Sequence, residues 1–116
     1  MMLHWNDYHK QVLATIAEIG RISPDIVRCY RTPSEAGSKT GKLDAKTREL
    51  ISLAVAVTRQ CHGCIVVHTD AALKNGATQE EVTEALGVAI AVNAGAALVH
   101  SARVLDAFEA KMTSSS

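Results

Sequence analysis

Aromatic side chains are nearly missing from this chain: one Trp, two Tyr and one Phe make up 3% of its 116 residues. A core of stacked rings is thereby excluded, and Ala, Val, Leu and Ile must pack closely through small side chains. Net charge is absent as well, with 12 basic against 12 acidic residues and no basic cluster. That balance argues against nucleic acid as the main partner. The opening MMLHWNDYHK lacks the apolar core of a signal peptide. The longest apolar stretch, residues 85–99, is expected to be too short and too rich in Ala and Gly to span a bilayer. These absences point to a soluble cytoplasmic protein with no membrane partner. No strand pattern and no usable repeat is present, so the expected fold class is all-α, with about six helices.

What the chain does have is concentrated between Glu49 and His68, in ELISLAVAVTRQCHGCIVVH. From Leu50 to Val57 only Ser52 interrupts the apolar run, so the segment reads as a helix buried on most faces. At about 100° per residue, Glu49 shares a stripe with Leu53 and Ala56, on a face that should be covered. A carboxylate there is either a helix-start partner for Lys46 or Arg48 or part of a site. With a new helix starting near His62, Cys61, Cys64 and His68 fall within roughly 60° of one another. Cys64 and His68 are an i, i+4 pair, which lets thiol and imidazole meet. Cys61 stands where unpaired N–H groups and the helix dipole favour an anion. In a reducing compartment a Cys-x-x-Cys is catalytic or metal-binding rather than a structural cross-link. Spacing thus gathers a dithiol, an imidazole and a carboxylate: a redox site in outline.

The remaining chain supplies helices and their stops. Residues 5–20 read as a first helix with Val12, Leu13, Ile16 and Ile19 at helical spacing, Gly20 as the stop and Trp5 packed on the body. Ser23-Pro24-Asp25 starts a second helix carrying Ile26, Val27 and Tyr30. Cys29, alone on it, reads as a buried, inert thiol. Residues 32–42, TPSEAGSKTGK, read as loop. Asp44 caps the Glu49 helix, and the thiol helix should end at Asn75-Gly76. Thr78-Gln79-Glu80-Glu81 is a capping box that opens a fifth helix, with Val82, Leu86, Ala89 and Ile90 inward. A kink or division is expected at Asn93 to Gly95, then a last helix through Val99, Leu105 and Phe108. The domain expectation is one unit over 1–112 and a disordered tail over 113–116. His62 and Arg59 read as exposed. His100 and Arg103 read as a subunit contact or a helix-end bond.

The spacing Glu49-x11-Cys61-x2-Cys64-x3-His68 resembles the signature of the alkylhydroperoxidase D family, within the carboxymuconolactone decarboxylase-like group. Gly41-Lys42-Leu43-Asp44 before it, and Gly76 to Val82 with Glu84-Ala85-Leu86 after it, are similar to the family's flanking pattern. The likeness covers roughly residues 40–108. Some peroxidase members have a histidine just before the second cysteine, where this chain has Gly63. The resemblance implies a thiol-dependent peroxidase with Glu49, Cys61, Cys64 and His68 as catalytic residues, and with no metal and no haem, flavin or other cofactor. It implies a small hydroperoxide as substrate, a lipoyl- or thioredoxin-type dithiol as reductant, and a homo-oligomer, trimer or hexamer. It also points to Cys64 as the attacking thiol and Cys61 as the resolving one. Three other readings stay open: a lactone decarboxylase, whose members generally lack the Cys-x-x-Cys; a zinc-stabilised binding module built on the same four residues; and a redox sensor without turnover.

Overall fold

A computed structural model describes residues 1–114, and every regular element among them is helical. Five helices follow one another: α1 (Trp5–Ile22), α2 (Pro24–Thr40), α3 (Ala45–Thr58), α4 (His62–Lys74) and α5 (Gln79–Ser114). α3 is the hub. It packs against both α4 and α5, while α1 links α2 to α4. The innermost cluster is Leu53 of α3, Ala72 of α4 and Ala77 of the α4–α5 turn, with Leu50 and Val82 against it.

The local chemistry explains where the helices start and stop. The Asp44 carboxylate accepts from the Thr47 N–H at 2.8 Å and caps α3. Thr78 and Glu81 form both bonds of a capping box at 2.9 and 3.1 Å and open α5. Lys46 Nζ, on the first turn of α3, reaches Glu81 at 2.7 Å and ties the two starts together. That contact, with the Thr78 bond, holds the Glu81 carboxyl below its usual range. α4 ends in a left-handed turn at Gly76 (φ 80°), with Ala77 N–H returning to Ala72 O and Gly76 N–H to Leu73 O, both at 3.0 Å.

Several expectations need correction. α1 runs past Gly20 to Ile22. Gly20 is instead a place of close approach: a Cβ there would stand 3.3 Å from Val27 of α2. Residues 32–40 are helix, not loop, with Pro33 inside α2. Pro33 removes one N–H, but Glu35, Ala36 and Lys39 continue the helix until Gly41 takes the left-handed conformation (φ 67°). Cys29 is exposed, because α2 packs along one side only. Asn93 does not divide α5; its amide donates to Thr58 Oγ1 and to Ala89 O, both at 2.8 Å, and the helix runs through. The expected fifth and sixth helices are therefore one, 36 residues long. By length and composition alone that helix could cross a membrane, so the shortness expected of the 85–99 stretch does not hold. Ile90 points outward, 68% exposed, since the α3-facing side is taken by Val82, Leu86 and Ala89. Of the expected tail, Thr113 and Ser114 are the last residues of α5, and residues 115–116 lie outside the described residues.

Candidate functional site

The site forms where α3 stops and α4 begins. Gln60 adopts φ 53°, a left-handed conformation rare for a residue with a side chain. It occupies the place in the α3 stop that Gly76 occupies in the α4 stop. Gln60 N–H bonds Val57 O at 3.2 Å, and Cys61 N–H bonds Ala56 O at 3.1 Å. Cys61 then serves the next helix: its carbonyl accepts from Ile65 N–H at 2.9 Å and its Sγ from Cys64 N–H at 3.2 Å. One residue closes α3 with its N–H and caps α4 with its sulfur. An anionic sulfur at this point is met by a backbone donor and by the positive end of α4.

Cys61 and Cys64 are joined in a disulfide with Cα atoms 5.2 Å apart, and both residues are partly buried. One turn further along α4, His68 Nδ1 lies 2.7 Å from Glu49 Oε2. Glu49 sits on the stripe shared with Leu53 and Ala56, each 4% exposed, so α3 delivers its carboxylate against α4 as the periodicity predicted. The two side chains retain 27% and 23% exposure, which screens the pair without dissolving it. With Nδ1–H donating to the carboxylate, the tautomer and ring orientation of His68 are fixed. Nε2 is left as the atom able to take or give a proton. The structure thus sets Glu49 against His68 and joins Cys61 to Cys64, the four residues that the spacing had gathered.

Other expected residues fall elsewhere. His62 is exposed, with its ring edge-on to Trp5 at a centroid distance of 6.1 Å. Arg59 caps the end of α3 in the open. His100 and Arg103 lie on the exposed part of α5, far along the chain from the thiols. Gly63 faces α1, where a Cβ would meet Val12 at 3.7 Å, an ordinary contact. A cavity of about 390 Å³ between α1 and α4, lined by Trp5, His9, Ile65 and Asp70 among others, includes none of the four site residues. It follows the Ile65–Leu73 ridge of α4, whereas the chemistry follows Cys64–His68. Among the described residues no three His, Cys, Asp or Glu side chains gather as a metal-holding group. The double duty of Cys61 and the Trp5–His62 contact were not legible beforehand. Periodicity reports faces of one helix, not a junction or a contact between residues 57 positions apart.

The family model for carboxymuconolactone decarboxylases matches residues 24–107, which contain the whole site. The chain belongs to the carboxymuconolactone decarboxylase family. An uncharacterised protein of Haemophilus influenzae is 42% identical over 108 residues, 93% of this chain and 96% of its own length. Uncharacterized protein 4 in the cox locus of Paracoccus denitrificans is 37% identical over 92 residues, covering 79% and 83%. Among solved structures, an apo carboxymuconolactone decarboxylase family protein from Legionella pneumophila superposes with a TM-score of 0.72 at 36% identity, covering 90% and 94%. A protein from Methanobacterium thermoautotrophicum gives a TM-score of 0.65 at 31% identity, over 72% and 94%. Membership of this family agrees with the all-α fold and with the resemblance read from the Glu49–His68 signature.

Proposed function

We propose that this family member is a thiol-dependent peroxidase that reduces organic hydroperoxides, or hydrogen peroxide, through a Cys61–Cys64 dithiol/disulfide cycle. The observation that carries the reading is the Cys61–Cys64 disulfide set one helical turn from an imidazole held by a carboxylate.

In the forward half-cycle the Cys64 thiolate attacks a peroxide oxygen. An S–O bond forms, the O–O bond breaks, and the leaving alkoxide takes a proton to become the alcohol. His68 Nε2 is the donor for that proton, with Glu49 stabilising the imidazolium from the Nδ1 side. The Cys61 thiolate then attacks the Cys64 sulfenic acid; the S–S bond forms and hydroxide departs, protonated, as water. An external dithiol of lipoyl or thioredoxin type reverses the oxidation by two exchange steps and becomes a disulfide itself. One hydroperoxide and one dithiol give one alcohol, one water and one disulfide.

Steady-state assays with an organic hydroperoxide and both classes of dithiol donor test this. Turnover with at least one donor, lost in Cys64→Ser, is the expected result. Absence of turnover with every donor would contradict it.

A further inference from the structure

The cavity between α1 and α4 takes no part in the thiol chemistry, yet it begins beside the thiols. Ile65, in its wall, follows Cys64 in the chain, and the Ile65 N–H bonds the Cys61 carbonyl at 2.9 Å. Trp5, across from it on α1, has its ring edge-on to His62, which stands between the two cysteines. Around α4, at about 100° per residue, Cys61 falls between His68, about 20° to one side, and Ile65, about 40° to the other. The dithiol thus has an imidazole on one flank and the cavity on the next.

Size and lining say what fits. A cavity of about 150 Å³ is enough to hold benzene. This one, at about 390 Å³, has room for a ring with its substituents. Trp5, Ile65, Val66 and Leu73 give it apolar walls. Its one carboxylate, Asp70, is already held by Lys74 Nζ at 2.8 Å, and no Lys or Arg is among the described residues that line it. An anionic tail finds no permanent cation there, and burying an unpaired charge costs far more than burying a ring gains.

We propose that this cavity seats the organic group of the substrate, a neutral, ring-sized group, so that compact aryl or cycloalkyl hydroperoxides are preferred to hydrogen peroxide. The inference rests on the peroxidase reading. With the O–O bond at the thiols and the leaving oxygen at His68, the organic group bonded to that oxygen runs past Ile65 into the cavity. Thr69 lines the cavity and is exposed, so a ring placed on it enters the cavity and not the core.

The test compares cumene hydroperoxide with hydrogen peroxide, and follows binding of cumyl alcohol, the unreactive product, by the fluorescence of Trp5, the one Trp of the chain. In Thr69→Phe, kcat/KM for cumene hydroperoxide is expected to fall about tenfold or more, as the seat for a buried ring is lost, while that for hydrogen peroxide stays within about twofold. Cumyl alcohol should shift the wild-type fluorescence saturably and leave that of Thr69→Phe unchanged. The wild-type titration needs no variant, so it decides the matter even where Thr69→Phe fails to fold. Equal slowing of both peroxides, a cumene hydroperoxide rate untouched by the substitution, or a wild-type signal indifferent to the alcohol would each overturn the inference while the peroxidase reading stands. Saturable binding of the alcohol by a wild type that reduces neither peroxide would uphold the cavity as a seat for a neutral ring and overturn the peroxidase reading.

Discussion

The hub around α3 and the far half of α5 draw on the same small apolar residues and use them in opposite ways. Within the hub, Leu53, Ala56, Val66, Ala72 and Ala77 are buried, and that packing sets Glu49 against His68. Beyond Asn93 none of the described residues is buried, and Leu98, Val99, Val104, Leu105 and Phe108 are all exposed. Hydrophobicity alone therefore does not say where a core is. Neighbours on two sides turn apolar sequence into an interior; a helix that runs past its neighbours leaves the same residues exposed.

The largest way to sharpen that contrast is a pair of truncations. Leu53→Ala removes the largest side chain of the central cluster and should cost roughly 2–5 kcal/mol in urea unfolding, at any protein concentration. Phe108→Ala, at a side chain 63% exposed in the chain, should cost no more than about 0.5 kcal/mol. Equal losses would erase the distinction between the two regions.

Next in size is the effect of charge at the site. Glu49→Gln keeps the shape of the Glu49–His68 contact while removing the charge that supports an imidazolium. We expect the rate of peroxide reaction to fall about a hundredfold, the low end for acid–base catalysis, with an altered pH profile and an unchanged circular dichroism spectrum. A native rate would remove the relay and leave Glu49 a structural residue.

Smaller effects belong to the helix starts that frame the hub. Thr78→Ala deletes one bond of the capping box and should cost about 1 kcal/mol by thermal or urea unfolding. Hydrogen bonds, to Lys46 for Glu81 and to Thr47 for Asp44, hold both carboxyls below their usual ranges. Folded values that are lowered give stability present above the unfolded pKa and lost as pH falls through the folded one. An acid titration should therefore loosen the starts of α3 and α5 below the ordinary carboxylate range. Lys46, raised by the same Glu81 contact, adds stability that fades only as pH rises through its folded value. The smallest effect concerns the two left-handed stops, Gln60 and Gly76. Gln60→Gly should stabilise the fold by about 0.5–1 kcal/mol, because glycine takes φ 53° without a Cβ penalty.

Much of the hub was legible in the sequence because its signals are local. Asp44, Thr78 with Glu81, and Gly76 mark helix ends through bonds within a few residues of themselves, and each stands where its chemistry requires. The Glu49–His68 contact followed from two faces computed separately, one on α3 and one on α4. What escaped was set by tertiary context. Residues 32–40 have a loop's composition, but Gly41, not Pro33, ends the helix. Ile90 has an inward residue's character and an outward position, because only one side of α5 has a neighbour in this chain. Asn93 looked like a break and is a tie to Thr58. The capping by the Cys61 sulfur depends on how two helices join, which no single-helix period reports.

The central claim is that the two thiols cycle as a couple with Cys64 attacking, and single-turnover chemistry on the serine variants tests it most directly. Reduced protein is mixed with one equivalent of an organic hydroperoxide, and alcohol, remaining thiols and trapped sulfenic acid are counted. The account predicts two thiols lost per alcohol in the wild type, a trappable sulfenic acid at Cys64 in Cys61→Ser, and no rapid reaction in Cys64→Ser. Alcohol formed at the wild-type rate in both variants, or no loss of thiol in the wild type, would contradict it.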